Sequence, residues 1–226
     1  MLTIAKREFE LLFKSFKSIV IICIFFMVTY FTSRFFSGNE HLIQQLNGSS
    51  SYSVSVRGLI VFFGFLFVMS LSHDCINKEI EQRTMRFIIT KVSRSSTILG
   101  KFFGVCLFWF SCITISFIII ASFAGTFLLV DCIRIIVFIM YIIGLSLLIS
   151  ILIKRSSYTM FLSIVLGIAF PVIGLWSLVT NHFLGSIKYI LPYYYITEPI
   201  YYMVIPLLIS IFFIILTIIL FRKRDL

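Results

Sequence analysis

Apolar residues fill most of the chain in long unbroken runs, and polar residues gather in the short stretches between them. Six such runs, about 18–36, 57–72, 102–122, 132–153, 157–179 and 203–221, approach or exceed the roughly 20 residues that an α-helix needs to cross a hydrocarbon core of about 30 Å. Stretches such as FIIIASF and IFFIILTIIL are continuous rather than alternating, unlike the dyad pattern of a transmembrane β-barrel. The expected architecture is therefore an all-α integral membrane protein with six transmembrane helices, one transmembrane domain over residues 1–226.

The stretches between the runs carry patterns of their own. Within residues 1–17, Phe9, Leu12, Phe13 and Phe16 recur at helical spacing, with Lys6, Arg7, Glu10, Lys14 and Lys17 around the other side. That is an amphipathic interfacial helix with a basic face, and membrane lipids are its expected partner. Ser37 to Ser55 is rich in Ser, Asn and Gln, with Gly38 and Gly48 as turn residues. Its Asn47-Gly48-Ser49 matches a glycosylation acceptor, although a turn is the simpler role. Thr180 to Tyr202 is too apolar for a solvated loop, and Pro192 and Pro199 break it too often for a span. Its tyrosines suit a membrane–water boundary, so it reads as broken outer helices between the fifth and sixth spans. Pro171, between Gly167 and Gly174, is a candidate kink in the fifth run, though membrane helices tolerate both residue types.

Composition agrees with a membrane protein. Of 226 residues, 60% are hydrophobic and 12% charged, with mean hydropathy +1.11, whereas about a quarter of a soluble domain is charged. The net charge of +10 is explained by topology rather than by nucleic acid. With the N-terminus inside, fifteen of the nineteen basic residues fall on cytoplasmic segments, leaving Arg34, Arg57, Arg134 and Lys188 outside. The positive-inside rule then places both termini in the cytoplasm, in a multi-pass protein of a bacterial cell membrane. The run 18–36 is longer than a signal-peptide core and lacks an A-x-A-like cleavage site, so it reads as a retained span. Cys23, Cys75, Cys106, Cys112 and Cys132 show no C-x-x-C spacing and read as small apolar residues.

Motifs for chemistry are missing from the sequence. It has no H-E-x-x-H, no G-x-S-x-G and no G-x-x-x-x-G-K-[ST] phosphate loop, so no catalytic, cofactor or metal site is expected. No span carries an acid or His near its middle, which argues against an ion-coupled pump. His182 and Glu198 lie in the broken outer segment as interfacial polar residues. Gly100 and Gly104 form a G-x-x-x-G that permits close helix contact and reads as ordinary packing.

The one long polar interruption is Asp74 to Lys101, DCINKEIEQRTMRFIITKVSRSSTILGK. Asp74 to Ile89 fits a helix with Ile76, Ile80, Thr84 and Phe87 on one side, and Asp74–Lys78 and Glu79–Arg83 pairing at i, i+4. Ser93 or Ser95 is placed to cap a second short helix running to Lys101. Residues 73–101 are then a cytoplasmic segment between spans two and three, suited to receive a soluble partner.

Glu79-x-Glu81-x-x-Thr84, then Val92-Ser93-Arg94, then Ile98-Leu99-Gly100-Lys101 entering a span resembles the cytoplasmic loop of type 2 ATP-binding-cassette (ABC) exporter permeases. In that pattern Arg83 stands where the family has glycine, and Lys91 where it has proline. The resemblance implies a permease subunit that is not itself an enzyme. It would act as a homo- or heterodimer with a second permease and with two copies of a cytoplasmic ABC ATPase that binds the ATP. It implies ATPase coupling through a helix made by Thr90, Lys91, Val92, Ser93, Arg94, Ser95, Ser96 and Thr97, with Glu79, Glu81 and Arg83 on a helix near the cytoplasmic gate. The expected cargo is hydrophobic or amphipathic, a peptide or toxin before a lipid or drug, as in antimicrobial-peptide export. The rival is a non-transporting immunity or scaffold protein of the membrane.

Overall fold

The computed structural model of the chain describes residues 1–39, 52–85, 87, 90, 92–153, 155–179 and 188–223. Asn47-Gly48-Ser49, Lys91, His182 and residues 180–187 of the broken segment lie outside the described residues. Every regular element among the described residues is helical: α1 (Leu2–Lys14), α2 (Phe16–Ser37), α3 (Val54–Ser72), α4 (Asn77–Glu81), α5 (Arg94–Ala124), α6 (Leu129–Leu152), α7 (Ser156–Val179), α8 (Tyr193–Thr197), a 3₁₀ turn at Ile200–Met203, and α9 (Val204–Lys223).

Six helical stretches, built on α2, α3, α5, α6, α7 and α9, are long and apolar enough to cross a membrane. The chain is a multi-pass membrane protein. α6 is the central helix, with 72% of its most apolar window buried against 28% for α2, α7 and α9. It packs on α9, α5 and α3, and α3 in turn carries α7 and α2. Lipid tails are as apolar as Leu, so helices in a membrane associate through close packing and polar contacts rather than through the hydrophobic effect. Both are present. A methyl group on Gly144 would sit 3.1 Å from the Ser210 carbonyl oxygen, and one on Gly167 would sit 2.8 Å from the Leu66 Cα. The Ser210 hydroxyl crosses from α9 to donate to the Met140 carbonyl at 2.8 Å.

Two segments differ from the sequence expectation. The stretch after α4 does not form a second short helix that stops at Lys101. Ser93 does act as an N-cap, accepting from the Ser96 N–H at 3.3 Å, but the helix it starts continues without a break for 31 residues. Nothing between Ser93 and Gly125 terminates it: Gly125, at φ 70°, is the first left-handed residue. At about 1.5 Å per residue the helix is about 46 Å long, more than a bilayer core of about 30 Å needs. Likewise the helix expected over Asp74–Ile89 is not continuous: it is helical at Asn77–Glu81, is interrupted by a turn at 82–84, and is helical again at Met85 and Phe87 among the described residues.

The broken segment before α9 enters the bundle. Tyr193 lies 5.8 Å from Phe65 and 5.3 Å from Phe138, ring to ring, and its ring occupies the space a side chain at Gly174 would need. Burial pushes the Tyr193 phenol upward, keeping it neutral. Pro171 sits inside the continuous helix α7. At the same end, Asp131 at the start of α6 accepts from Arg57 at 2.8 Å and from Ser53 at 2.5 Å, joining α6 to α3.

α1 lies close against α5 at Gly104. A methyl group on Gly104 would meet the Glu8 Cβ at 2.6 Å and the Ala5 carbonyl oxygen at 2.7 Å. Backbone cannot yield there, so Gly104→Ala is expected to cost about 1–3 kcal/mol through overpacking. Thermal unfolding of the detergent-purified protein would show it, with Gly58→Ala, where nothing lies within 4 Å, as the neutral control.

Candidate functional site

A buried ionic cluster forms where α1, α4 and the first turns of α5 meet. The Lys101 ammonium is 1% exposed and lies 2.7 Å from Glu8 Oε1 and 2.9 Å from Glu79 Oε2. Arg7 completes the cluster, donating to the other Glu79 oxygen at 2.8 Å. Two cations and two carboxylates alternate, so each charge faces an opposite one, the condition for burying charge at tolerable cost. Arg7, at the open side, leaves the cluster accessible to water through a cavity of about 380 Å³ lined also by Asp74, Cys75, Lys78 and Gln82.

The short helix α4 has a second polar face. Asn77 is fully buried and donates through Nδ2 to the Thr159 hydroxyl on α7 at 2.7 Å. The Ser150 hydroxyl on α6 accepts from the Ile76 and Asn77 N–H groups at 3.1 and 3.3 Å, which satisfies donors that the start of a helix leaves unpaired. Glu81, one turn after Asn77, accepts from the Ser156 N–H at 3.1 Å at the N-terminus of α7, where negative charge is favoured. Residues four apart share a helix face while a residue two along points away. Asn77 and Glu81 thus hold α6 and α7, and Glu79 holds α1 and α5.

Arg83 ends this helix with φ 56°, a left-handed conformation that suits glycine far better than arginine. This is the position where Arg83 stands in place of the permease pattern's glycine. Thr84 then folds its hydroxyl back to the Glu79 carbonyl at 3.2 Å.

The remaining candidate residues divide into two groups. Arg94 donates to the Phe221 and Arg222 carbonyls at 3.2 and 2.8 Å, satisfying acceptors exposed at the C-terminus of α9, and Arg222 donates to Ser95 at 2.8 Å. Thr97 is buried and bonds back to the Ser93 carbonyl. Ser93 and Ser96 are taken up in the cap. Thr90 and Ser93 are exposed and Val92 half-buried, and Phe87 projects with 75% of its surface open. Ile98 is fully buried.

Of the residues that make these contacts, only Glu79 and Glu81 were among the sequence candidates; Lys101, Glu8, Asn77, Ser150 and Thr159 were not. Glu8 was findable: it falls four residues from both Ile4 and Leu12, inside the stripe that α1 buries, so it requires a cationic partner. No model of a known protein family matches the chain, and no curated protein sequence does.

Removing one member of the cluster leaves its partners buried without compensation. Lys101→Met is expected to destabilise by about 3–5 kcal/mol. Adding Glu8→Gln should recover at least half of that, because Glu79 keeps Arg7 while the stranded carboxylate is gone; a double-mutant cycle by denaturant unfolding in micelles measures the coupling. Arg83→Gly relieves left-handed strain and is expected to add roughly 0.5–1 kcal/mol in the same assay.

Proposed function

We propose that this chain is the membrane-spanning permease subunit of an ATP-driven exporter, powered by a separate cytoplasmic ABC ATPase and paired with a second permease subunit. The observation that carries the reading is the double attachment of α4. A five-residue helix between the second and third spans is fixed by buried polar contacts to α1 and α5 on one side and to α6 and α7 on the other. The segment that follows it, with Arg83, Thr84, Phe87 and Thr90 exposed, offers an aromatic side chain and a cation to a soluble partner. A displacement of that segment is passed to both halves of the bundle at once.

The sequence holds no phosphate loop, so the work would come from a subunit that closes on nucleotide, and a partner moves a conformational equilibrium only through differential contact with its two states. The apolar spans and the absence of mid-span charge favour a hydrophobic or amphipathic cargo, a peptide or toxin first. Antimicrobial-peptide export or self-protection is the corresponding role, in a cell membrane with both termini cytoplasmic.

The buried Ile98 and the carbonyl-capping Arg94 would perturb the fold if replaced, so the test uses Phe87 and Thr90, whose side chains are exposed. Tagged wild-type protein, purified in mild detergent from its native membrane, is expected to bring down an ATPase subunit containing a phosphate loop. Phe87→Glu with Thr90→Glu is expected to reduce that recovery roughly tenfold or more, as loss of an aromatic anchor does, with unchanged thermal unfolding. Absence of any such ATPase with the wild type, or undiminished recovery with the variant, sinks the reading and favours a non-transporting membrane protein.

A further inference from the structure

α1 divides its circumference into three sectors rather than two. With 100° between successive residues, Ile4, Ala5, Glu8 and Leu12 form the sector buried against the bundle. Leu2, Phe9 and Phe13 form an apolar sector beside it, and Lys6, Glu10 and Lys14 form a charged one. Leu2 and Phe13 are exposed despite their size. A helix at a boundary between protein, hydrocarbon and water takes this form.

Between the buried and apolar sectors runs a groove of about 550 Å³, lined by Leu2, Thr3, Ala5, Lys6 and Phe9 of α1 and by Leu107 of α5. That is the size of a small-molecule site. Its floor is fixed, because Ala5 is pressed against Gly104. Its apolar end lies toward Phe108, which packs on Phe13 at 5.0 Å, and its polar rim is Lys6 next to Arg7. Arg7 is engaged by Glu79 and Glu8 by Lys101. The charges left exposed along this elbow are Lys6, Lys14 and Lys17 against Glu10 alone. Lys6 meets Glu10 only at 3.9 Å, with both side chains half or more exposed, a pair readily exchanged for a stronger anion.

We propose that this groove binds one anionic phospholipid, its acyl chain against Leu2, Phe9 and Leu107 and its phosphate on the Lys6 ammonium, with the Thr3 hydroxyl as a further donor. The inference rests on the membrane-spanning fold and the geometry of α1, not on the exporter reading.

Intact protein is delipidated to its last bound lipids from a detergent mixture containing equimolar phosphatidylglycerol and phosphatidylcholine, and the retained lipids are counted by native mass spectrometry. The wild type is expected to keep one phosphatidylglycerol per chain. Lys6→Glu, an exposed change, should reduce that preference by about fivefold or more, the weight of a basic residue near an anionic surface. Leu107→Trp, which fills the groove from an exposed position, should remove the bound lipid whatever its headgroup. Equal retention of the two lipids by the wild type overturns the site, as does retention unaffected by both substitutions. Loss of self-association in Leu107→Trp with lipid binding intact assigns the groove to a second copy instead.

Discussion

A lysine ammonium buried among helices has to be neutralised where it stands, and much of the basic end of this molecule follows from Lys101. Its two carboxylates come from separate elements, Glu8 on α1 and Glu79 on α4, so pairing the charge fixes both elements against α5. The short ion-pair distances are possible only because the backbones approach closely. Gly104 admits Ala5 and Glu8 to within a distance that no Cβ would tolerate, and Gly100 does the same for Ile4. Charge pairing and glycine spacing are therefore one constraint. A larger residue at position 104 would lift Glu8 away and leave the ammonium with one of its two carboxylates, Glu79.

The far end is held by the same physics with different partners. Asp131 gathers Arg57 and Ser53, and Arg134 reaches the Ile196 carbonyl, tying the α8 segment to α6. Between the two polar ends the packing is aromatic and small-residue contact, including Phe65 stacked on Phe170 at 4.8 Å. Helices in lipid gain little from burying apolar surface against one another. The polar ends therefore set the register, and the interior glycines and rings fit into the register so set.

How much of this was legible in the sequence depends on what kind of signal each part leaves. Continuous apolar runs declare six spans without reference to any partner, because the bilayer dictates length and composition locally. The capping role of Ser93 was also readable, being a local hydrogen bond. The extent of the helix it starts was not: Ser93 to Lys101 read as a short helix of its own because it is polar beside the apolar run after it, whereas no residue between them ends the helix. Asn77 was hidden among the charges of its polar stretch, and Ser150 and Thr159, small polar residues near the ends of apolar runs, call for a partner without naming it. Arg83 lies between these cases, its backbone having the conformation that a glycine at that position would supply.

The consequence for mechanism lies in the brevity of α4. An isolated helix of five residues is not stable, since nucleation alone outweighs what so few hydrogen bonds return, so α4 is ordered by its attachments and not by its own sequence. Asn77 and Glu81 draw that order from α6 and α7, and Glu79 draws it from α1 and α5. Shifting α4 while keeping Glu79 on Lys101 would strain the contacts to Ser150, Thr159 and Ser156, and keeping those contacts would strain the ion pair. Two compact arrangements in which both sets are satisfied, separated by states in which one set is broken, are what a discrete switch requires. A floppy loop at this position would absorb a displacement, whereas a short helix pinned on opposite faces couples the elements on either side of it.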